Sequence, residues 1–184
     1  GEVSALGEYL TVHGLFRIAV PIFLIINGFY FFPVLQKGKH WLWLKRVLIL
    51  YLVWMAIYSP FWLQLAAFSL LTLAKTTFRF IIGYHPLWYI SGMLGAALLM
   101  VYLGKFSSRT LMLVIALTYA GGVAIQYLGN YHVFEGSVLD KLFNFNWVHR
   151  NFLLLSLPFF ALGFLLNKHN ILRRLSAGQW QMAA

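Results

Sequence analysis

The chain has 184 residues, of which 61% are hydrophobic and only 10% charged, against about 25% charged in a soluble domain. It carries a net charge of +10 and no cysteine, and its mean hydropathy is +0.78. These values exclude an ordinary soluble enzyme, and the missing cysteines exclude disulfides and thiolate metal sites; the basic residues cluster between apolar runs, as the positive-inside bias produces, rather than forming the stripe on a soluble face that nucleic acid would need.

The predicted architecture is an all-α polytopic transmembrane bundle, a single domain over 1–184. It has about five spans and one interfacial helix. Residues 1–9 show no signal-peptide pattern and carry Glu2 and Glu8. The first span covers about 15–35. Beyond Arg17 no charge occurs until Lys37, which is long enough to cross a bilayer. It is nonetheless interrupted by Arg17 at its mouth, Pro21 one turn in, and Asn27-Gly28 near the middle. Polar groups at that depth are expensive and point to a site. The second span covers about 41–63 and opens beside Lys45 and Arg46.

Residues 66–83 read differently. Thr72, Lys75, Thr76 and Arg79 share one helix face, with Leu70, Ala74, Phe78 and Ile81 opposite. That pattern suits a helix lying in the membrane interface; the competing reading is a continuation of the second span past Pro60. The third span, 87–103, follows Pro86 at the position where a helix best tolerates proline. The fourth covers 111–128 and the fifth 148–166, with Pro158 inside it. Ser91 and Gly95, Gly92 and Ala96, and the Gly121-Gly122 pair suit close helix packing.

Orientation follows from the loops. Lys37, Lys39, Lys45, Arg46, Lys105, Arg109, Lys168, Arg173 and Arg174 fall on one side of such a bundle. Arg17, Lys75, Arg79, Lys141, Arg150 and all four carboxylates fall on the other. The richer side is expected to be cytoplasmic, which puts the N-terminus outside and the C-terminus inside.

No phosphate loop, zinc-protease motif or nucleophile elbow is present, and no metal is expected. Arg17 reads either as an anchor reaching the headgroups or as a forked donor to an anionic or hydroxyl-rich group. Asn27 reads as interhelical glue or as a substrate contact. Lys45 and Arg46 either anchor the second span or hold phosphates through charge-assisted bonds. His85 belongs to an aromatic belt with Trp88 and Tyr89, or carries a proton near neutral pH. His13 lies one turn before Arg17. Arg150, beside His149, reads as an anchor and stays outside the expected site.

The run Arg17-Ile18-Ala19-Val20-Pro21-Ile22-Phe23, followed by Asn27-Gly28-Phe29, resembles the second helix of the acyltransferase-3 membrane family. Lys45-Arg46 resembles the basic start of that family's third helix, and His85-Pro86-Leu87-Trp88-Tyr89 is similar to its later His-x-Leu-Trp segment. The likeness is clearest over residues 13–104. It implies an integral membrane O-acyltransferase of the bacterial inner membrane. Such an enzyme moves an acyl group, typically acetyl, from acyl-CoA to a hydroxyl of a surface glycan or lipid-linked saccharide. Arg17 and His85 would then serve the acyl-transfer centre, Lys45 and Arg46 the CoA, and Asn27 and Trp88 the substrate or the packing. The family's leading histidine lies in a helix before this segment, and further helices follow it. The chain is thus expected to be part of a longer one, or to take the missing helices from a partner segment. Two other readings stand beside this one: a non-catalytic membrane fragment, and a small transporter or flippase subunit with Arg17, Asn27 and His85 along its path.

Overall fold

The computed structural model describes residues 16–63, 69–84 and 87–171. Within them the fold is all-helical. Helix α1 (Phe16–Gln36), α2 (His40–Ile57) and α6 (Ser108–Asn130) are each long and apolar enough to cross a membrane. Helix α5 (Trp88–Leu103) and the segment Phe152–Lys168 are apolar but shorter. The chain is an integral membrane protein by these helices.

Two expected spans are broken, each at a proline. Helix α2 stops at Tyr58, and α3 (Ser59–Trp62) turns off with a proline in its first turn. Pro60 has no N–H to continue the α2 ladder. The indole of Trp62 instead donates to the carbonyl of Met55 (3.0 Å), satisfying one of the acceptors that the helix end exposes. The fifth expected span is likewise not one helix. It consists of α8 (Asn146–His149), a π-turn at Phe152–Ser156 and α9 (Leu157–Lys168). Pro158 cannot bond the carbonyl of Leu154, four residues back, and the ladder widens there into i→i+5 bonds. Asn151 holds the widened turn. Its Oδ1 accepts from the backbone N–H groups of Leu153 (2.9 Å) and Leu154 (2.8 Å), and its Nδ2 donates to the carbonyl of Val148 (2.8 Å).

The amphipathic segment forms its own helix, α4 (Leu70–Ile82), beginning at the Ser69 cap rather than at residue 66; residues 64–68 lie outside the described part. Gly83 ends it at φ +96°, a conformation that favours glycine. Its last carbonyls are tied to the bundle by side chains: Tyr51 donates to the carbonyl of Phe80 and Ser91 to that of Ile81. Leu70, Leu71 and Leu73 stay exposed, as an interfacial helix requires.

The most extensive pairing joins α1 to α9. A Cβ at Gly28 would collide with the backbone carbonyl of Phe160, and one at Gly163 with that of Ile25. Only hydrogen fits at either position. Small residues allow helices to approach closely enough for dispersion to hold them where lipid is as apolar as the core. Phe31 packs on Phe160 with its ring tilted by 60° at 5.3 Å, and Phe32 meets Phe164 edge-on at 5.0 Å. Asn167 seals the pair by donating to the carbonyl of Phe29 (2.7 Å). On the other side Gly92 and Gly95 of α5 receive Ser156 and Phe152, and a Cβ at Gly122 of α6 would come within 3.1 Å of the carbonyl oxygen of Leu154.

The loops between α1 and α2 and between α5 and α6 meet the end of α9. Gly104 abuts Leu35 and Phe164, and His169 Nε2 lies 2.9 Å from Ser108 Oγ. Lys37, Lys39, Lys105, Arg109 and Lys168 therefore gather at one end of the bundle. At the opposite end, α6 runs into a turn and α7 (Val138–Phe143), capped by Ser137.

Candidate functional site

The end opposite the basic loops is hollow. A cavity of about 370 Å³ is walled by Val20 and Pro21 of α1, Trp88 of α5, Tyr119 and Gln126 of α6, and Arg150 before the π-turn. Its walls mix polar and apolar groups. Pro21 shapes the α1 wall, since it cannot donate to the carbonyl of Arg17. Gly122 and Val123 line it beside Leu154, so the widened turn at Pro158 and the missing side chain at Gly122 together set the floor. π-turns of this kind recur at functional sites.

A second, larger space of about 650 Å³ runs along α5 between α4 and residues 147–153. It is a predominantly apolar groove. Trp88 and Arg150 belong to the walls of both spaces, so the cavity and the groove adjoin there. Among the described residues Arg150 is the one charged side chain lining either. It is half-buried, and among the described residues its guanidinium has neither a hydrogen-bond partner nor a carboxylate. Its backbone is positioned by its neighbour Asn151, whose amide holds the π-turn.

The residues singled out in the sequence fall in different places. Trp88 lines both spaces. Arg17 stands in the first turn of α1, one turn before Val20 and Pro21; its side chain lies outside the described residues, as do His85 and His13 altogether. Asn27 is not at the cavity wall. Its Nδ2 donates to the hydroxyl of Tyr89 (3.0 Å) and to the carbonyl of Phe23 (2.8 Å), which binds α1 to α5. Lys45 and Arg46 lie in the second turn of α2, exposed, near the basic end and away from both spaces. Among the described residues neither pairs with a carboxylate.

Sequence reasoning missed Arg150 and Gln126. Arg150 looked like an anchor because an arginine at a span's end has the same neighbours in sequence whether it faces lipid or the bundle. The asparagine after it and the proline eight residues on were the signal that the backbone there is not a plain helix start. A further pair, His132 Nδ1 and Asp140 Oδ1 at 3.0 Å, joins the turn after α6 to α7 at the same end. No group of three or more histidine, aspartate or glutamate side chains gathers among the described residues in a way that could hold a metal ion.

The acyltransferase-3 family model, described as an acyltransferase domain, matches residues 2–184. No curated protein and no solved structure gives a significant match. The helical layout, the order of the three motifs and a match over nearly the whole chain agree: this chain belongs to the acyltransferase-3 family.

Proposed function

We propose that this chain serves in moving an acyl group, typically acetyl, from acyl-CoA to a hydroxyl of a surface glycan or lipid-linked saccharide. The membrane is the bacterial inner membrane, with the basic end cytoplasmic and the hollow end outside. The observation that carries this reading is the cavity at the charge-poor end, whose walls offer a guanidinium, an amide and three aromatic rings, Trp88, Tyr119 and Phe159. Such a set suits a sugar, whose hydroxyls take hydrogen bonds and whose ring faces pack on aromatic side chains. At the other end Lys45 and Arg46 are exposed and, among the described residues, unpaired with acid, which fits the phosphates of a CoA donor.

In this reading a histidine base, for which His85 is the candidate in this chain, takes the proton of the acceptor hydroxyl. The oxygen attacks the thioester carbonyl, and a cation, with Arg17 the candidate, steadies the resulting oxyanion. Collapse of that intermediate breaks the carbon–sulfur bond. The acyl group stays on the sugar oxygen, and the thiolate leaves and is protonated.

The test is label transfer from radioactive acetyl-CoA to cell-envelope glycan in membranes carrying the protein. Transfer is expected to fall at least tenfold in Arg17→Ala. Lys45→Ala with Arg46→Ala is expected to raise KM for acetyl-CoA while changing kcat little, the pattern of lost uniform binding. Full transfer by Arg17→Ala removes that residue from the centre. Absence of label on any hydroxyl of the glycan overturns the acceptor.

A further inference from the structure

The groove beside the cavity has a composition of its own. Its walls are Phe78 and Ile81 of α4, Gly95 and Leu98 of α5, and Trp147 and Phe152. Two of its polar side chains are already engaged: Ser91 donates to the carbonyl of Ile81, and Asn151 holds the π-turn. That leaves, besides Tyr102, a long apolar trough with one cation among the described residues, Arg150, at the point where it meets the polar cavity. Among the described residues this half-buried guanidinium meets no anion, an unfavourable state in a low-dielectric setting. A groove for hydrocarbon headed by a positive charge matches one kind of molecule, an amphiphile with a long apolar chain and an anionic head.

We propose that this groove binds a lipid of one long chain ending in phosphate. The chain would lie along α5, the phosphate would take the forked donors of Arg150, and whatever the phosphate carries would project past Trp88 into the cavity. This inference deepens the acceptor half of the function proposed above and rests on it: the acceptor is a saccharide delivered on a phosphate-linked chain, and Arg150 is a binding residue for its link. The shared wall explains why one arginine and one tryptophan serve both spaces.

The test is binding, measured without acyl-CoA, so that its outcome is separate from that of the transfer assay. Purified protein in detergent is titrated by native mass spectrometry with a polyprenyl phosphate, the matching polyprenol, phosphatidylglycerol and inorganic phosphate. The polyprenyl phosphate is expected to be retained at about tenfold lower concentration than the alcohol, the scale of a charge-assisted bond. Arg150→Gln is expected to erase that difference, and Leu98→Trp, which fills the trough from a partly exposed position, to weaken phosphate and alcohol alike. Equal retention of phosphate and alcohol by the unmodified protein would overturn the proposal without any variant. So would equal competition by phosphatidylglycerol, which would mean that ordinary bilayer lipid fills the groove, or by inorganic phosphate, which would mean that the chain contributes nothing. Retention as expected in a protein that transfers no label would leave the lipid site standing and refute the acyl transfer.

Discussion

Replacing Gly28 by alanine tests the α1–α9 seam directly. The added carbon would sit 2.7 Å from the carbonyl carbon and 3.0 Å from the Cα of Phe160, closer still to the carbonyl oxygen, where ordinary contact begins at 3.4 Å. All three atoms are backbone, so no side chain can swing aside. To clear the carbonyl oxygen the helices must part by about 1 Å or more, and a gap of that size forfeits about half of each dispersion well it opens. Leu24, Phe31, Phe160 and Phe164 are essentially fully buried at this seam. If roughly half of their contacts cross it, a rigid parting would cost on the order of 5 kcal/mol or more. Relaxation of the seam, and about 1 kcal/mol returned by alanine's better helix propensity, bring the net destabilisation to about 1–3 kcal/mol, as is typical of overpacking. Gly121→Ala is the control: its new carbon would meet only Leu154 Cδ2 at an ordinary 3.7 Å, so propensity alone acts and stability should hold or rise. The assay is unfolding in detergent followed by tryptophan fluorescence. Gly163→Ala should behave as Gly28→Ala does, and the double variant should cost less than the sum, because the seam is already open after the first change. If Gly28→Ala proved as stable as Gly121→Ala, the close approach of α1 and α9 would be wrong.

The Asn27–Tyr89 bond should appear in a double-mutant cycle of Asn27→Ala and Tyr89→Phe as a coupling of about 0.6 kcal/mol, the usual worth of an interhelical bond in a membrane; additive effects would mean that the bond does not form. Asn151→Ala leaves two backbone N–H groups of the π-turn without acceptors and should cost about 1–2 kcal/mol by the same unfolding assay, with Asn151→Asp, which keeps the acceptor, recovering most of it. An alanine variant of unchanged stability would show that the turn holds itself.

Long elements were legible because their signals are local. The apolar run between Arg17 and Lys37, the polar face of Thr72, Lys75, Thr76 and Arg79, and the proline ahead of Trp88 each mark a helix without help from the rest of the chain. The seam was not legible. Gly28 read as half of an Asn-Gly pair in a polar interruption, and Gly163 read as nothing, because each glycine acquires meaning only when the other's helix lies against it. Asn27 drew attention as a buried polar group, but periodicity could not say whether its amide turns to a ligand or to Tyr89. The break of the last span followed from Pro158, whose presence was plain. What sequence could not say was that the ladder would widen rather than kink, since the choice depends on Asn151 finding Leu153 and Leu154. Arg150 stayed outside the expected site for a related reason: its place is defined by two hollows meeting beside it.

The seam also orders events in time. Asn167 and the carbonyl of Phe29 that it caps are 138 residues apart, so α1, the first described helix to leave the ribosome, takes its main partner last. Helices that insert singly and associate afterwards leave α1 in the bilayer with its glycine face against lipid through the synthesis of everything between. Phe31 meets Trp43 of α2 first, and Asn27 can reach Tyr89 well before α9 exists; among the described residues this is the earliest polar side-chain bond that α1 makes to another helix. A chain stopped after α6 would keep that bond and lack the seam, so α1 gains its main partner only when α9 arrives.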